Sequence, residues 1–241
     1  MRLPVVCRRG AGLVGTGVAR GLGWTALRGR PRAAIAGLAV VLLALPLAGC
    51  AASGASPPAA AAGPGILADW RIPELLADGA PGVTRLGAPA LRGGPRGTSA
   101  SFDGASDGLV LDRNPLAGHD RFTIEVVMRP AVGGPAEQRY LHFGEVNGPR
   151  VMLETRVTPD GRSWYHDSYV QSGGSGLALI DPALLHPTGA WYHVALVFDR
   201  GRFATYVDGR RELEGTVAFA PLPPSRVSIG VRQNEVFWYA G

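Results

Sequence analysis

The run Phe122-Thr-Ile124-Glu125-Val126-Val-Met128-Arg129 puts Phe, Ile, Val and Met on its even positions and Thr, Glu and Arg among the odd ones. A period of two sends successive side chains to opposite faces, so this run predicts a β-strand with one face in a core. Val151-Met-Leu153-Glu154-Thr-Arg156-Val157 repeats the pattern, and Trp191 to Phe198 is apolar on both faces, as a central strand is. Asn147-Gly148, Asp160-Gly161, Asp199-Arg200-Gly201 and Asp208-Gly209 separate these runs. Asn-Gly and Asp-Gly supply the positive φ that tight hairpins require. Shorter strands are predicted at Phe203–Val207, Val227–Val231 and Val236–Tyr239, and a single helical turn at Asp181–His186. Many short strands closely spaced predict an all-β fold, an antiparallel β-sandwich over residues 66–241.

The first third of the chain reads differently. Residues 33–47, AAIAGLAVVLLALPL, form an uncharged apolar run behind an arginine-rich stretch. Positive, then apolar, then small residues is the order of a secretory signal, and 15 residues fall short of the ~20 a membrane-spanning helix needs. Leu47-Ala48-Gly49-Cys50 resembles the bacterial lipobox. That resemblance implies lipid transfer to Cys50, cleavage before it, and anchoring in a cell membrane, or the outer membrane of a two-membrane host, with the domain facing the periplasm or exterior. Residues 1–49 are then a signal segment, and residues 50–65 a lipidated cysteine with a flexible Ala/Ser/Pro/Gly tether. A retained apolar anchor is the alternative. Cys7, the other cysteine, falls in the leader, so a processed domain has no disulfide.

Charge divides at the same place. Residues 1–50 hold seven arginines and no acid, whereas residues 51–241 hold 17 arginines against 19 acids, a net of −2. The overall +5 therefore belongs to the leader, and no basic surface remains in the domain to attract nucleic acid.

SFDGASDGLVL (101–111), FTIEVVMRP (122–130) and GAWYHVALVFDRGRFATYVDGRREL (189–213) resemble the laminin G-like branch of the concanavalin A-like lectin/glucanase superfamily. The cadence W-x-H-V-A, F-D, Y-V-D-G over residues 191–209 is its most specific part, and ILADWRI (66–72) looks like the family's first strand. The resemblance implies a jelly roll of two antiparallel sheets, one curved to leave a concave face. It also implies one more strand after the last aromatic segment, where this sequence stops at Gly241, so that a shortened chain or an unpaired edge is expected.

Glucanases of that superfamily carry carboxylates alternating along one strand, and no E-x-D-x-x-E pattern occurs here. Glu212 and Glu214 follow a hairpin and read as solvated. No enzymatic activity is expected; a glycoside hydrolase ranks third. The leading reading is a non-catalytic module for a glycan or a cell-envelope partner, and the second a structural or protein-interaction sandwich. Glu125, Arg129, Glu154 and Arg156 form the candidate patch for sugar or peptide if their strands share one sheet; a solvated ladder of cross-strand ion pairs is the favoured reading of the four. Trp164 and Tyr165, in the polar-aromatic loop 163–169, are candidates for stacking on sugar, with inward strand packing as the alternative. No cofactor is required. Calcium is a possible ligand through Asp103, Asp107 and Asp112, although Asp-Gly turns account for the first two.

Overall fold

The computed structural model describes residues 2–7 and 65–241. In chain order the strands are β1 (Arg2–Cys7), β2 (Gly65–Arg71), β3 (Val83–Leu86), β4 (Ala90–Gly94), β5 (Gly97–Ser101), β6 (Gly108–Leu111), β7 (Arg121–Met128) and β8 (Glu137–Gly144). They continue with β9 (Arg150–Val157), β10 (Ser163–Ser172), β11 (Ser175–Ile180), β12 (His186–Pro187), β13 (Tyr192–Asp199), β14 (Arg202–Val207), β15 (Arg210–Thr216) and β16 (Arg226–Ile229). A six-stranded sheet runs β15-β14-β13-β7-β1-β2 and an eight-stranded sheet β11-β10-β9-β8-β16-β6-β3, with β12 beside β10. Every pairing among the described residues is antiparallel. This is the expected jelly-roll sandwich.

The core is assembled from the inward halves of both sheets. Phe122, Ile124, Val126 and Met128 of β7 and Val194, Leu196 and Phe198 of β13 meet Leu141, Phe143, Val151, Leu153, Val227 and Ile229. Phe122 stacks on Phe198 with centroids 4.9 Å apart, and Trp70 of β2 stacks on Phe143 across the sheets at 6.0 Å. The β13–β14 hairpin turns through Arg200 and Gly201, and the β14–β15 hairpin through Asp208 and Gly209, all at positive φ. The Asp-Gly signal was therefore sound.

Several local expectations are corrected. Asp181–His186 is not helical: Asp181 Oδ1 accepts the Ala183 N–H, an Asx turn that competes with a helical start. The one helix among the described residues, α1 (Ile72–Leu75), begins at Ile72-Pro73, where proline's fixed φ suits a first turn. Val236–Tyr239 is not a strand, because Glu235 and Phe237 turn the backbone through φ of 59° and 58°. Arg2–Cys7 pairs with β2 and β7 in the six-stranded sheet, which leaves its assignment to a leader as it was. The apolar run 33–47, Cys50 and the tether to residue 64 lie outside the described residues.

Candidate site on the outer face of the eight-stranded sheet

Alternation along β9 sends Val151, Leu153 and Val157 into the core and leaves Arg150, Met152, Glu154 and Arg156 on the face turned away from the other sheet. In β10, Trp164 and Val170 go inward, so Tyr165, Asp167 and Tyr169 join that outer face. Register then fixes the neighbours: Glu154 opposes Asp167 and Arg156 opposes Tyr165 on one side, while Arg139 opposes Glu154 and Glu137 opposes Arg156 on the other. Five charged side chains close into one network. Arg139 reaches Glu137 at 2.5 Å and Glu154 at 3.2 Å. Arg156 reaches Glu137 at 2.7 Å, Asp167 at 2.8 Å and Glu154 at 3.8 Å.

Its centre is buried and its rim partly exposed. Arg139, Glu154 and Asp167 are buried, while Arg156 and Glu137 are partly exposed. Burial, with the Asp167 carboxylate directly opposite, pushes Glu154 up to about 7 despite both guanidiniums. Next to it the segment after β16 folds back along β8. The Phe237 carbonyl accepts the Arg139 N–H at 2.9 Å beside a bulge in β8, and the Phe237 ring lies 3.8 Å from the Arg139 guanidinium carbon. Gln233 pins the segment by donating through Nε2 to the carbonyls of Gly144 and Arg226, each at 3.0 Å. Phe237 is held at φ 58°, a region bulky side chains rarely occupy, yet the residue stays 37% exposed. Strain of this kind costs on the order of 1–3 kcal/mol and concentrates at sites that use it.

Comparison with protein families places residues 103–241, more than half of the chain, in a laminin G-type model of the concanavalin A-like lectin/glucanases. The chain belongs to that superfamily. Comparison with curated proteins found no match. Among solved structures, the enzymatically active domain of bacteriophage CBA120 tailspike protein 2 shares the fold at TM-score 0.50 and 15% identity, over 66% of this chain. This chain spans only 27% of that domain. Domain 4 of the arabinanase AbnA from Geobacillus stearothermophilus is similar at TM-score 0.44 and 18% identity, over 66% of this chain and 76% of its own. The carbohydrate-binding module CBM66 from Bacillus subtilis is similar at TM-score 0.34 and 16% identity, over 66% and 89%.

Within this superfamily sandwich the residues singled out in sequence separate. Glu154, Arg156 and Tyr165 share the outer face of the eight-stranded sheet. Glu125 and Arg129 do not join them, because β7 pairs with β13 in the other sheet. Glu125 lies 3.2 Å from His193 Nε2, and Arg129 lies over the Trp191 ring at 5.1 Å. Trp164 is fully buried, edge-on to Tyr192 with centroids 5.2 Å apart, and residues 163–169 are strand rather than loop, so Trp164 offers no face to a sugar. Glu212 is not solvated either: its side chain is buried with Oε1 2.8 Å from His186 Nε2, and only Glu214 is surface-bound, to Arg202 and Arg211.

Two of the three carboxylates considered for calcium, Asp103 and Asp107, are committed to backbone N–H groups. Asp103 accepts the backbone N–H groups of Ala105, Ser106 and Asp107 and the Ser106 hydroxyl, and these donors, Ser106 foremost, hold it far below the usual carboxylate range. Asp107 accepts from Ala88 and Asp103, while Asp112 is exposed. Among the described residues no three carboxylate, histidine or cysteine side chains gather as a metal site would. The sequence reading missed Arg139, Glu137, Asp167 and Phe237. Asp167 was within reach, since it follows Tyr165 by two residues on the same face.

Proposed function

We propose that this chain is a non-catalytic glycan-binding module, exported and held on a membrane through Cys50, and that it binds sugar on the outer face of its eight-stranded sheet. The observation that carries this reading is Phe237, a strained and partly exposed ring fixed against a buried Arg139–Glu154–Asp167 centre. An aromatic face suits the apolar face of a pyranose or furanose ring, and Arg156, Glu137 and Tyr165 at the rim offer donors and acceptors to its hydroxyls. Family membership supports the reading, since the superfamily is one of lectins and glucanases. Both central carboxylates are engaged by guanidiniums, an arrangement that suits recognition better than nucleophilic attack.

Phe237→Ala is expected to weaken binding of an envelope polysaccharide roughly tenfold, the equivalent of one stacked ring, while the melting temperature moves only a few degrees. Glycan-array screening followed by calorimetry on wild type and variant checks this. Wild type that binds no polysaccharide, with a variant that is strongly destabilised, would favour the second reading, a structural sandwich whose ion pairs serve only to hold β8, β9 and β10 together. Release of reducing sugar by wild type, abolished in Glu154→Gln, would replace binding by hydrolysis. Anchoring is tested separately: detergent-phase partition and a lipid-sized mass increment, both lost in Cys50→Ala, are the expected outcome.

A further inference from the structure

One end of the outer face of the eight-stranded sheet gathers cations that the fold does not pair. Arg226 of β16, Gly144 of β8 and Arg150 of β9 lie in one row of register. Val227 and Val151, the next residues along β16 and β9, are in the core, so Arg226 and Arg150 belong to the outer face, with only a glycine in the row between them. Arg232, in the segment folded back along β8, reaches the turn that joins β8 to β9. Its Nη2 donates to the Val146 carbonyl at 2.7 Å, and Arg150 Nη1 donates to the Gly148 carbonyl of the same turn at 2.9 Å. The Arg150 guanidinium carbon also lies 4.8 Å from the centre of the Tyr169 ring.

Carbonyls hold these guanidiniums in place but leave their charge unanswered. Arg139 and Arg156, toward the other end of the face, are engaged by carboxylates. Among the described residues none lies within ion-pair distance of Arg150, Arg226 or Arg232, and the Nε atoms of Arg150 and Arg232 are buried without a partner. Glu154 acts on Arg150 only from a distance, being already taken by Arg139 and Arg156. Burial foremost, with the like charges of Arg232 and Arg139 adding to it, holds the Arg150 guanidinium below its ordinary value. Buried His142, whose Nδ1 accepts the Gln233 N–H at 3.3 Å, is pushed down to about 4 by burial with the same three arginines opposing its charge, so it stays neutral. Cations half withdrawn from water and left unpaired are costly, and an oxyanion from outside the chain offsets that cost. Three arginines in a domain whose net charge is −2 suit one acidic group rather than a continuous phosphate backbone.

We infer that Arg150, Arg226 and Arg232 form an oxyanion-binding end of the sugar-binding face, and that the glycan taken there is acidic, its carboxylate or sulfate ester held by these guanidiniums. The inference rests on the sugar-binding reading of this face and narrows it. The planar fork of a guanidinium matches two oxygens of such a group at once, which a neutral hydroxyl does not offer. Arg150 precedes Glu154 by four residues, about 13 Å along β9, so an occupant that also stacks on Phe237, beside the Arg139–Glu154 pair, is an oligosaccharide rather than a single sugar.

The test uses the full chain in a Cys50→Ala background, so that lipid plays no part. Oligomers of galacturonate, hyaluronate and sulfated galactan are titrated by calorimetry, each beside its carboxyl-reduced or desulfated form. At least one acidic form is expected to bind about tenfold or more tightly than its neutral counterpart, the ratio shrinking as salt is raised. Which acidic form binds identifies the oxyanion as carboxylate or sulfate. Arg150→Gln/Arg232→Gln is expected to bring acidic binding down to the neutral level and to leave neutral binding within about twofold. Because those two side chains also hold the β8–β9 turn, Arg226→Gln is the second variant. Among the described residues the exposed Arg226 side chain holds nothing in the fold, so its loss should leave the melting temperature unchanged while acidic affinity falls about threefold or more. Equal affinity for acidic and neutral forms, or acidic binding that survives both substitutions, overturns the inference and leaves sugar binding standing. No binding of any form, acidic or neutral, overturns both.

Discussion

Trp164→Ala is expected to lower the unfolding free energy by about 3–5 kcal/mol, the range for removing a large buried aromatic. The indole is fully buried between the sheets, 5.0 Å from the His186 ring and 5.2 Å from Tyr192 of the opposite sheet. Alanine leaves a void that strands paired on both sides cannot close, since β10 is registered to β9 on one edge and to β11 and β12 on the other. Against a total of about 5–15 kcal/mol for a domain of this size, such a loss is about a fifth or more of all stability. Trp164→Phe keeps most of the volume and should cost about half as much or less. Urea titration of the three proteins measures the order. Polysaccharide binding of Trp164→Phe decides what kind of residue this is: a core residue leaves affinity unchanged once folding is corrected for. A tenfold loss of affinity in a stable Trp164→Phe protein would return the indole to the binding surface.

Trp164 also marks what a sequence of this kind can and cannot reveal. The alternation of β7 and β9 and the Asp-Gly turns were legible because backbone geometry alone writes them. The same rule, carried through β10, assigns Trp164 and Tyr165 to opposite faces, so treating residues 163–169 as a loop lost the distinction. Which strands share a sheet is another matter. Glu125 and Glu154 lie on equally convincing strands, but β7 pairs with β13 and β9 with β8 and β10, and long-range pairing leaves no mark in either run. Arg139 was hidden by a bulge that breaks the alternation of β8 at its most informative point. Phe237 was hidden more deeply, because its aromatic neighbours suggested a strand and only the assembled loop imposes a positive φ.

Glu154→Gln is expected to raise stability at pH 8 by on the order of 1–3 kcal/mol and to change it little at pH 5. The sign follows from where the proton sits. Glu154 titrates at about 7 in the fold against an ordinary 4.5, so between these values the folded chain keeps a proton that the unfolded chain has released. Its contribution is therefore complete below pH ~4.5, falls as pH rises, and becomes a penalty above pH ~7. Glutamine carries no charge to desolvate and retains an oxygen for Arg139, so it imitates the protonated acid at every pH. Burial also pushes His166 to about 3 and His142 to about 4, and these contribute stability in the opposite direction, rising with pH until the unfolded histidines are neutral near 6.5. Both proteins carry those histidines, so the difference between them isolates Glu154. The usual expectation for a buried ion pair is the reverse, a loss of 3–5 kcal/mol when one partner is removed, because the other charge is stranded. Here Arg139 keeps Glu137 at 2.5 Å and Arg156 keeps Asp167 at 2.8 Å, so neither guanidinium is stranded by the substitution. Denaturant titrations of both proteins at pH 5 and pH 8 settle the competition. If Glu154→Gln is the less stable protein at pH 8 by more than at pH 5, the two guanidiniums outweigh burial and the opposing Asp167, and the centre of this face is a structural ion pair. If it is more stable, the fold is carrying an unfavourable charge at neutral pH, and a ligand that donates a hydrogen bond to Glu154 is what would offset it.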